Sequence, residues 1–113
     1  MQSLMKPNHS KNAPDHYLEQ KILSASPEQL IAYVYDAAIA GCIKRDIAKA
    51  SSALGLLIQS LNFDEEKEMQ EMSTKFYKTY NYLLDLLRKK KFDEVLTYLK
   101  EIRATWVEAM NVY

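Results

Sequence analysis

The sequence has one cysteine, two glycines, three prolines and two histidines among its 113 residues. Cys42 has no partner for an intrachain disulfide, as is usual in a reducing cytosol. Both histidines, His9 and His16, precede residue 20, so the Glu-x-x-His motif of di-iron bundles and the His-Glu-x-x-His motif of zinc enzymes are missing. A helical ribonuclease with an Arg-x4-His site is excluded for the same reason. We expect no catalytic site, no metal site and no cofactor.

A charge of predominantly one sign is also missing. Lysine and arginine together number 15, as do aspartate and glutamate, so the formal net charge is zero. This balance argues against nucleic acid and against broad attraction to an anionic membrane. The first ten residues lack the apolar region of a secretory signal, and the longest apolar run, residues 37–43, is too short to span a bilayer. We therefore expect a cytoplasmic protein without a membrane-inserted segment.

Apolar and aromatic residues make up 48% of the chain, and no proline follows Pro27. Apolar residues recur at steps of three and four, which is the helical period, so the predicted fold class is all-α. Connections of only a few residues favour antiparallel neighbours, and hence an up-down four-helix bundle with a short N-terminal helix capping it. Residues 1–14 are predicted to be a flexible tail, and residues 15–113 a single domain. Its predicted helices are the short helix 15–23 and the bundle helices 27–44, 46–61, 64–90 and 93–110.

The stretch SASP at residues 24–27 predicts a firm break between the first two helices. Ser26 is a favourable N-cap, Pro27 suits the first helical position, and Gln29 completes a capping-box pair with Ser26. Proline also disfavours helical dihedral angles in the residue before it. The second helix is therefore expected to begin at Pro27.

The predicted bundle has more apolar surface than one stripe per helix requires. The fourth helix has a main stripe and further apolar residues beside it, and the third helix has two apolar residues outside its tightest seam. Wide packing in a small bundle explains such residues one by one, whereas a groove that accepts a helix explains the set. The main stripe of the fourth helix is Met69, Met72, Phe76, Tyr80, Leu83 and Leu87, and the additional residues are Tyr77, Tyr82, Leu84, Leu86, Leu56 and Ile58.

Several short segments, in order and spacing, resemble the FliS family of flagellin-specific export chaperones of bacteria. Tyr17 precedes the SASP stretch as a tyrosine precedes Thr-Ala-Ser-Pro in that family. The later segments that resemble it are EQLI (28–31), VYDAAI (34–39), DIAKA (46–50), SLNF (60–63), YNYL (80–83) and IRATWVEAM (102–110). The resemblance covers roughly residues 17 to 110 and implies a helical-bundle chaperone.

This chain departs from the family pattern at several positions. Ala37 stands where glycine is usual, Thr79 where leucine is usual, and residues 69–71 read MQE in place of Gly-Gly-Glu. Both predicted hairpins are shorter than in the family, and in an up-down bundle their tips lie at the same end. The chain is therefore identified as a shortened, divergent member.

The resemblance implies a function that depends on the additional apolar surface. Such a chaperone binds the disordered C-terminal segment of flagellin, prevents its premature polymerisation, and delivers it to the gate of the flagellar type III export apparatus. The first helix would cover apolar surface until flagellin displaces it. The candidate groove residues are Leu54, Leu57, Ile58, Leu61, Tyr77, Tyr80 and Leu84, and the candidate lid residues are Tyr17, Leu18 and Ile22. The alternative is an interaction module that forms a homodimer or binds a different helical partner.

Overall fold

A computed structural model describes residues 16–63 and 66–112 of the chain. Within these ranges the protein has five helices and no strand, which confirms the all-α prediction. The predicted flexible tail 1–14, the first residue of the predicted short helix 15–23, and the first two residues of the predicted helix 64–90 lie outside the described residues. The helices are α1 (residues 16–23), α2 (Pro27–Ile43), α3 (Ile47–Gln59), α4 (Lys67–Arg88) and α5 (Phe92–Met110).

The four longer helices pack around one apolar core. α2 contacts α3 and α5, and α4 contacts the same two helices, with α4 and α5 making the least extensive contact. The largest side chains that are completely buried are Tyr35, Leu54, Leu57, Leu83, Leu87, Leu99, Val95 and Cys42. In contrast, every described residue of α1 is exposed, although the Lys21 ammonium lies 4.8 Å from the centre of the Tyr33 ring on α2. Among the described residues, no helix has both the length and the apolar character that crossing a membrane requires.

The predicted break between α1 and α2 is present with its capping box. The Ser26 hydroxyl accepts a hydrogen bond from the Gln29 backbone N–H at 3.1 Å, and the Gln29 side-chain oxygen accepts one from the Ser26 N–H at 2.9 Å. These bonds satisfy donors that would otherwise lack partners at the first turn. α2 begins at Pro27, as the sequence predicts.

Substitution of Ser26 by alanine is expected to lower the free energy of unfolding by about 1 kcal/mol, because the first turn of α2 loses its capping acceptor. Thermal unfolding followed by circular dichroism measures this. Ser24→Ala is the matched control, since the Ser24 hydroxyl bonds only to carbonyls of the exposed α1, at 2.8 Å to Gln20 and 3.3 Å to Lys21. An unchanged midpoint for Ser26→Ala, or an equal loss for Ser24→Ala, would contradict the assignment.

Candidate functional site

The apolar stripe of α4 is buried in the second half of the helix and largely exposed in the first half. Tyr80, Leu83 and Leu87 are buried, whereas Met69 and Met72 are 46% and 54% exposed. The stripe keeps its helical period over this whole length, so only the cover provided by neighbouring helices changes. The surplus apolar surface of α4 is thus largely a continuation of its core stripe.

The stripe of α5 changes in the same way toward its C-terminal end. Val95 and Leu99 are completely buried, Ile102 and Trp106 are partly buried, and Met110 is 42% exposed. The uncovered parts of the α4 and α5 stripes lie beside each other, because both helices line the same two cavities. The exposed ends of two core stripes therefore form one surface.

Two adjoining cavities make up an open apolar groove, here called the Met72–Trp106 groove. The larger has a volume of about 550 Å³. The smaller, of about 200 Å³, extends toward the first turns of α2 and the end of α3. The two share Tyr35, Met72, Phe76 and Trp106; the larger is also lined by Ile102 and Met110, and the smaller by Ile31, Leu61, Met69 and Tyr80. The flexible, polarisable methionine side chains suit a surface that adapts to the shape of an apolar guest.

The floor of the groove contains a pair of buried tyrosines. The Tyr35 and Tyr80 hydroxyl oxygens are 2.6 Å apart and share a hydrogen bond between α2 and α4. Burial raises the pKa of both phenols, and for Tyr35 the neighbouring Tyr80 contributes further. Both phenols are therefore neutral at physiological pH, and a guest segment would meet no charge on this floor.

Three polar contacts hold the helices that line the groove. The Trp106 indole N–H donates to the Glu28 carbonyl oxygen at 3.0 Å, which fixes the ring of α5 against the start of α2. The guanidinium of Arg103 on α5 forms an ion pair with Asp36 on α2. The buried Ser73 hydroxyl donates to the Asn62 carbonyl at 2.7 Å, which ties α4 to the segment after α3. These three non-covalent contacts therefore help to fix the relative positions of the helices that line the groove.

The seven candidate groove residues have different positions. Leu54, Leu57 and Tyr80 are buried in the core, and Ile58, Leu61 and Leu84 are partly buried against it. Tyr77 is 45% exposed and packs edge-on against Phe63, with ring centres 6.2 Å apart. Leu61 and Tyr80 line the Met72–Trp106 groove, and the other five do not. The three candidate lid residues, Tyr17, Leu18 and Ile22, are at least half exposed on α1.

Sequence reasoning placed Met69, Met72 and Phe76 in the main stripe of the fourth helix, and it selected neither them nor Ile102 and Trp106 as groove residues. Leu86, which it set outside the main stripe, is buried. The helical period alone cannot reveal where along a helix its neighbours diverge. The available signal was composition: three of the five methionines, Met69, Met72 and Met110, fall in these two stripe ends.

Among the described residues, no group of three or more side chains is suited to holding a metal ion. Cys42 is buried, and burial raises the pKa of its thiol, so the reactive thiolate is disfavoured. What the site offers is a predominantly apolar groove with aromatic walls, a flexible methionine edge and one carboxylate, that of Glu101, in the lining of the larger cavity.

A family model described as "Flagellar protein FliS" matches residues 10–113 of the chain. Comparisons with curated proteins and with solved structures gave no match. The matched region includes all five helices and every residue that lines the groove.

Proposed function

The chain belongs to the FliS family of flagellar export chaperones, and on this premise we propose that it binds the disordered C-terminal segment of flagellin in the cytoplasm. Binding keeps that segment from polymerising early and delivers the flagellin to the gate of the type III export apparatus. The observation that carries the proposal beyond the family is the Met72–Trp106 groove, an open apolar surface that continues two core stripes. A chaperone of this kind needs no catalytic group.

The energetics of a disordered client favour such a groove. A segment that folds on binding loses conformational entropy, so it needs a large apolar contact, typically ~1,000–3,000 Å². The groove supplies the start of that contact. Further exposed apolar side chains, among them Tyr77 on α4 and Leu56 on α3, extend the surface available to a client that wraps around the protein. The segment is held where its own apolar residues cannot pair with another flagellin.

The proposed architecture is an antiparallel up-down four-helix bundle of α2–α5. The contacts support it, since α2 and α4 each pack against both α3 and α5. The connections support it as well, because Lys44–Asp46 and Lys89–Lys91 are too short to let consecutive helices run in the same direction. In this arrangement the groove lies at one end of the bundle, where α4 begins and α5 ends.

The test is a titration of the full chain with the C-terminal segment of flagellin, followed by tryptophan fluorescence. Trp106 is the only tryptophan in the chain and lines both cavities of the groove. A client segment without tryptophan should therefore shift its emission to shorter wavelength and saturate, because the indole loses contact with water. The self-associating module would be favoured instead if the Trp106 emission stayed unchanged throughout the titration and the sedimentation coefficient of the protein rose with its concentration.

The proposal includes a lid function for α1, whose Tyr17, Leu18 and Ile22 carry exposed apolar surface beside the start of α2. If α1 covers the groove in part of the population, it competes with the client. Deletion of residues 1–23 is then expected to raise client affinity several-fold in the Trp106 titration, with sedimentation reporting any self-association. An unchanged affinity in a monomeric truncation would remove the lid from the proposal and leave client binding in place.

A further inference from the structure

Six basic residues lie at the end of the molecule opposite the Met72–Trp106 groove. They belong to two turns, one between α2 and α3 and the other between α4 and α5. Arg45 joins the turns: its guanidinium forms an ion pair with Asp93 at 3.0 Å and lies 5.4 Å from the centre of the Phe92 ring. We call this surface the basic end; its basic residues are Lys44, Arg45, Arg88, Lys89, Lys90 and Lys91.

Charge is unevenly distributed over a chain that is neutral as a whole. Residues 44–46 and 88–94 contain six basic and three acidic side chains, so the remainder of the chain is correspondingly acidic. The groove lies where α2 and α4 begin and where α3 and α5 end, and the basic end lies where α2 and α4 end and where α3 and α5 begin. Separated charge of this kind orients an approaching charged partner.

The backbone of the basic end is left-handed at two basic residues. Arg45 has φ of 57° and Lys90 has φ of 59°, each just after a helix ends. At both turns the hydrogen bonds follow a Schellman pattern, with Asp46 N–H donating to the Gly41 carbonyl and Lys91 N–H donating to the Leu86 carbonyl. Glycine is the usual residue at such a position because a Cβ atom is disfavoured there. This protein has a long basic side chain at both positions, Arg45 and Lys90, and each therefore adopts a backbone conformation that is unfavourable for a residue with a Cβ atom.

Three of the cations at the basic end have no ion-pair partner among the described residues: Lys44, Lys90 and Lys91. Arg88 and Lys89 share a single carboxylate, that of Asp85, at 3.4 and 3.6 Å. A cation near a helix C-terminus does stabilise the helix dipole. That effect accounts for a basic residue such as Arg88 in the last turn of α4. It does not require four consecutive basic residues, 88–91, and it does not require a lysine at the left-handed position 90.

From the strained backbone, the unpaired lysines and the separation of charge, we propose that the basic end is a docking surface for an acidic peptide segment of a partner protein. This proposal is independent of flagellin binding, since it uses residues at the opposite end of each helix. A flexible acidic segment fits because its carboxylates can reach Lys44, Lys90 and Lys91, which lie on two different turns. The groove stays open to its own guest in such a complex.

The experiment measures fluorescence anisotropy of a labelled Glu/Ser peptide on the full chain, with a Gln/Ser peptide as the uncharged control. The Glu/Ser peptide is expected to bind in a salt-dependent manner. The triple variant Lys44→Gln, Lys90→Gln and Lys91→Gln should bind it about tenfold less tightly. The matched control removes three exposed lysines elsewhere, Lys75→Gln, Lys78→Gln and Lys100→Gln, and should retain most of the affinity.

A second variant separates docking from folding. Lys90→Gly is expected to raise the thermal midpoint, because glycine relieves the left-handed position, and at the same time to weaken peptide binding. Equal loss of affinity in the two triple variants would overturn the proposal, as would failure of the Glu/Ser peptide to bind. Binding to phosphatidylglycerol vesicles as tight as to the peptide, and sensitive to the same three lysines, would assign the surface to a membrane and also overturn it.

Discussion

Replacing Met72 with lysine is expected to weaken binding of the flagellin C-terminal segment about a hundredfold, which corresponds to roughly 3 kcal/mol. Met72 lines both cavities of the Met72–Trp106 groove and is 54% exposed in the free protein. A lysine can therefore reach water when the groove is empty, so the fold should be preserved. Once a guest covers the position, an unpaired ammonium is removed from water, at a cost of several kcal/mol.

The matched control is Ile43→Lys at the other end of α2. Ile43 is 58% exposed and lies twelve residues after the groove residue Ile31, about 18 Å along the helix axis. It loses a similar apolar area and gains the same charge, away from the groove. Affinities come from the Trp106 titration, and circular dichroism checks the fold of each variant. Equal affinities for the two variants would show that the client binds elsewhere.

Substitutions in the core cannot make this distinction. Leu57 is 1% exposed, so Leu57→Asp would bury a charge within the folded protein and destabilise it severely. Loss of client binding in such a variant would report unfolding. A groove residue that is already half exposed, such as Met72, is the informative position.

Replacing Gly41 with alanine is expected to lower the free energy of unfolding by about 1–2 kcal/mol in net terms. A Cβ atom at Gly41 would lie 2.7 Å from the Ala50 backbone nitrogen and 3.0 Å from its Cα atom. α2 and α3 must therefore move apart, and overpacking of this kind costs about 1–3 kcal/mol. The gain in helix propensity from glycine to alanine, about 1 kcal/mol, offsets only part of that loss.

The other glycine provides a control of opposite sign. Gly55 lies within α3, and apart from its two chain neighbours and the adjacent backbone of its own helix, no atom lies within 4 Å of the position that its Cβ would occupy. Gly55→Ala is therefore expected to raise the free energy of unfolding by about 1 kcal/mol. Urea denaturation of both variants, followed by circular dichroism, measures the difference. A Gly41→Ala protein as stable as the wild type would show that the helices separate at little cost.

The helices themselves could be predicted because their signals are local. The N-cap of α2 depends on Ser26, Pro27 and Gln29, which are neighbours in the sequence, and its capping box is present. The start of α4 was expected near Asp64, whereas the helix begins at Lys67. Acidic residues suit either side of a helix start, so charge alone does not fix the first residue.

The existence of exposed apolar surface could be predicted from the sequence, but the residues that form the groove could not. The sequence indicated surplus apolar surface, and such surface exists, but much of it lies in Met69 and Met72 on the main stripe of α4. Leu54 and Leu57, chosen as groove candidates, are core residues. The period of a stripe identifies the face that turns inward, and it carries no information on how far the facing helix stays in contact.

The amino-acid sequence by itself determined the helical class, the break before α2, the absence of catalytic motifs and the family. Each of these depends on residue types at short, fixed spacings. Only the tertiary structure decided which ends of the α4 and α5 stripes stay uncovered, and that the turns holding Arg45 and Lys90 meet. Both depend on how helices distant in sequence pack against each other, since a side chain is buried only where another segment of the chain covers it.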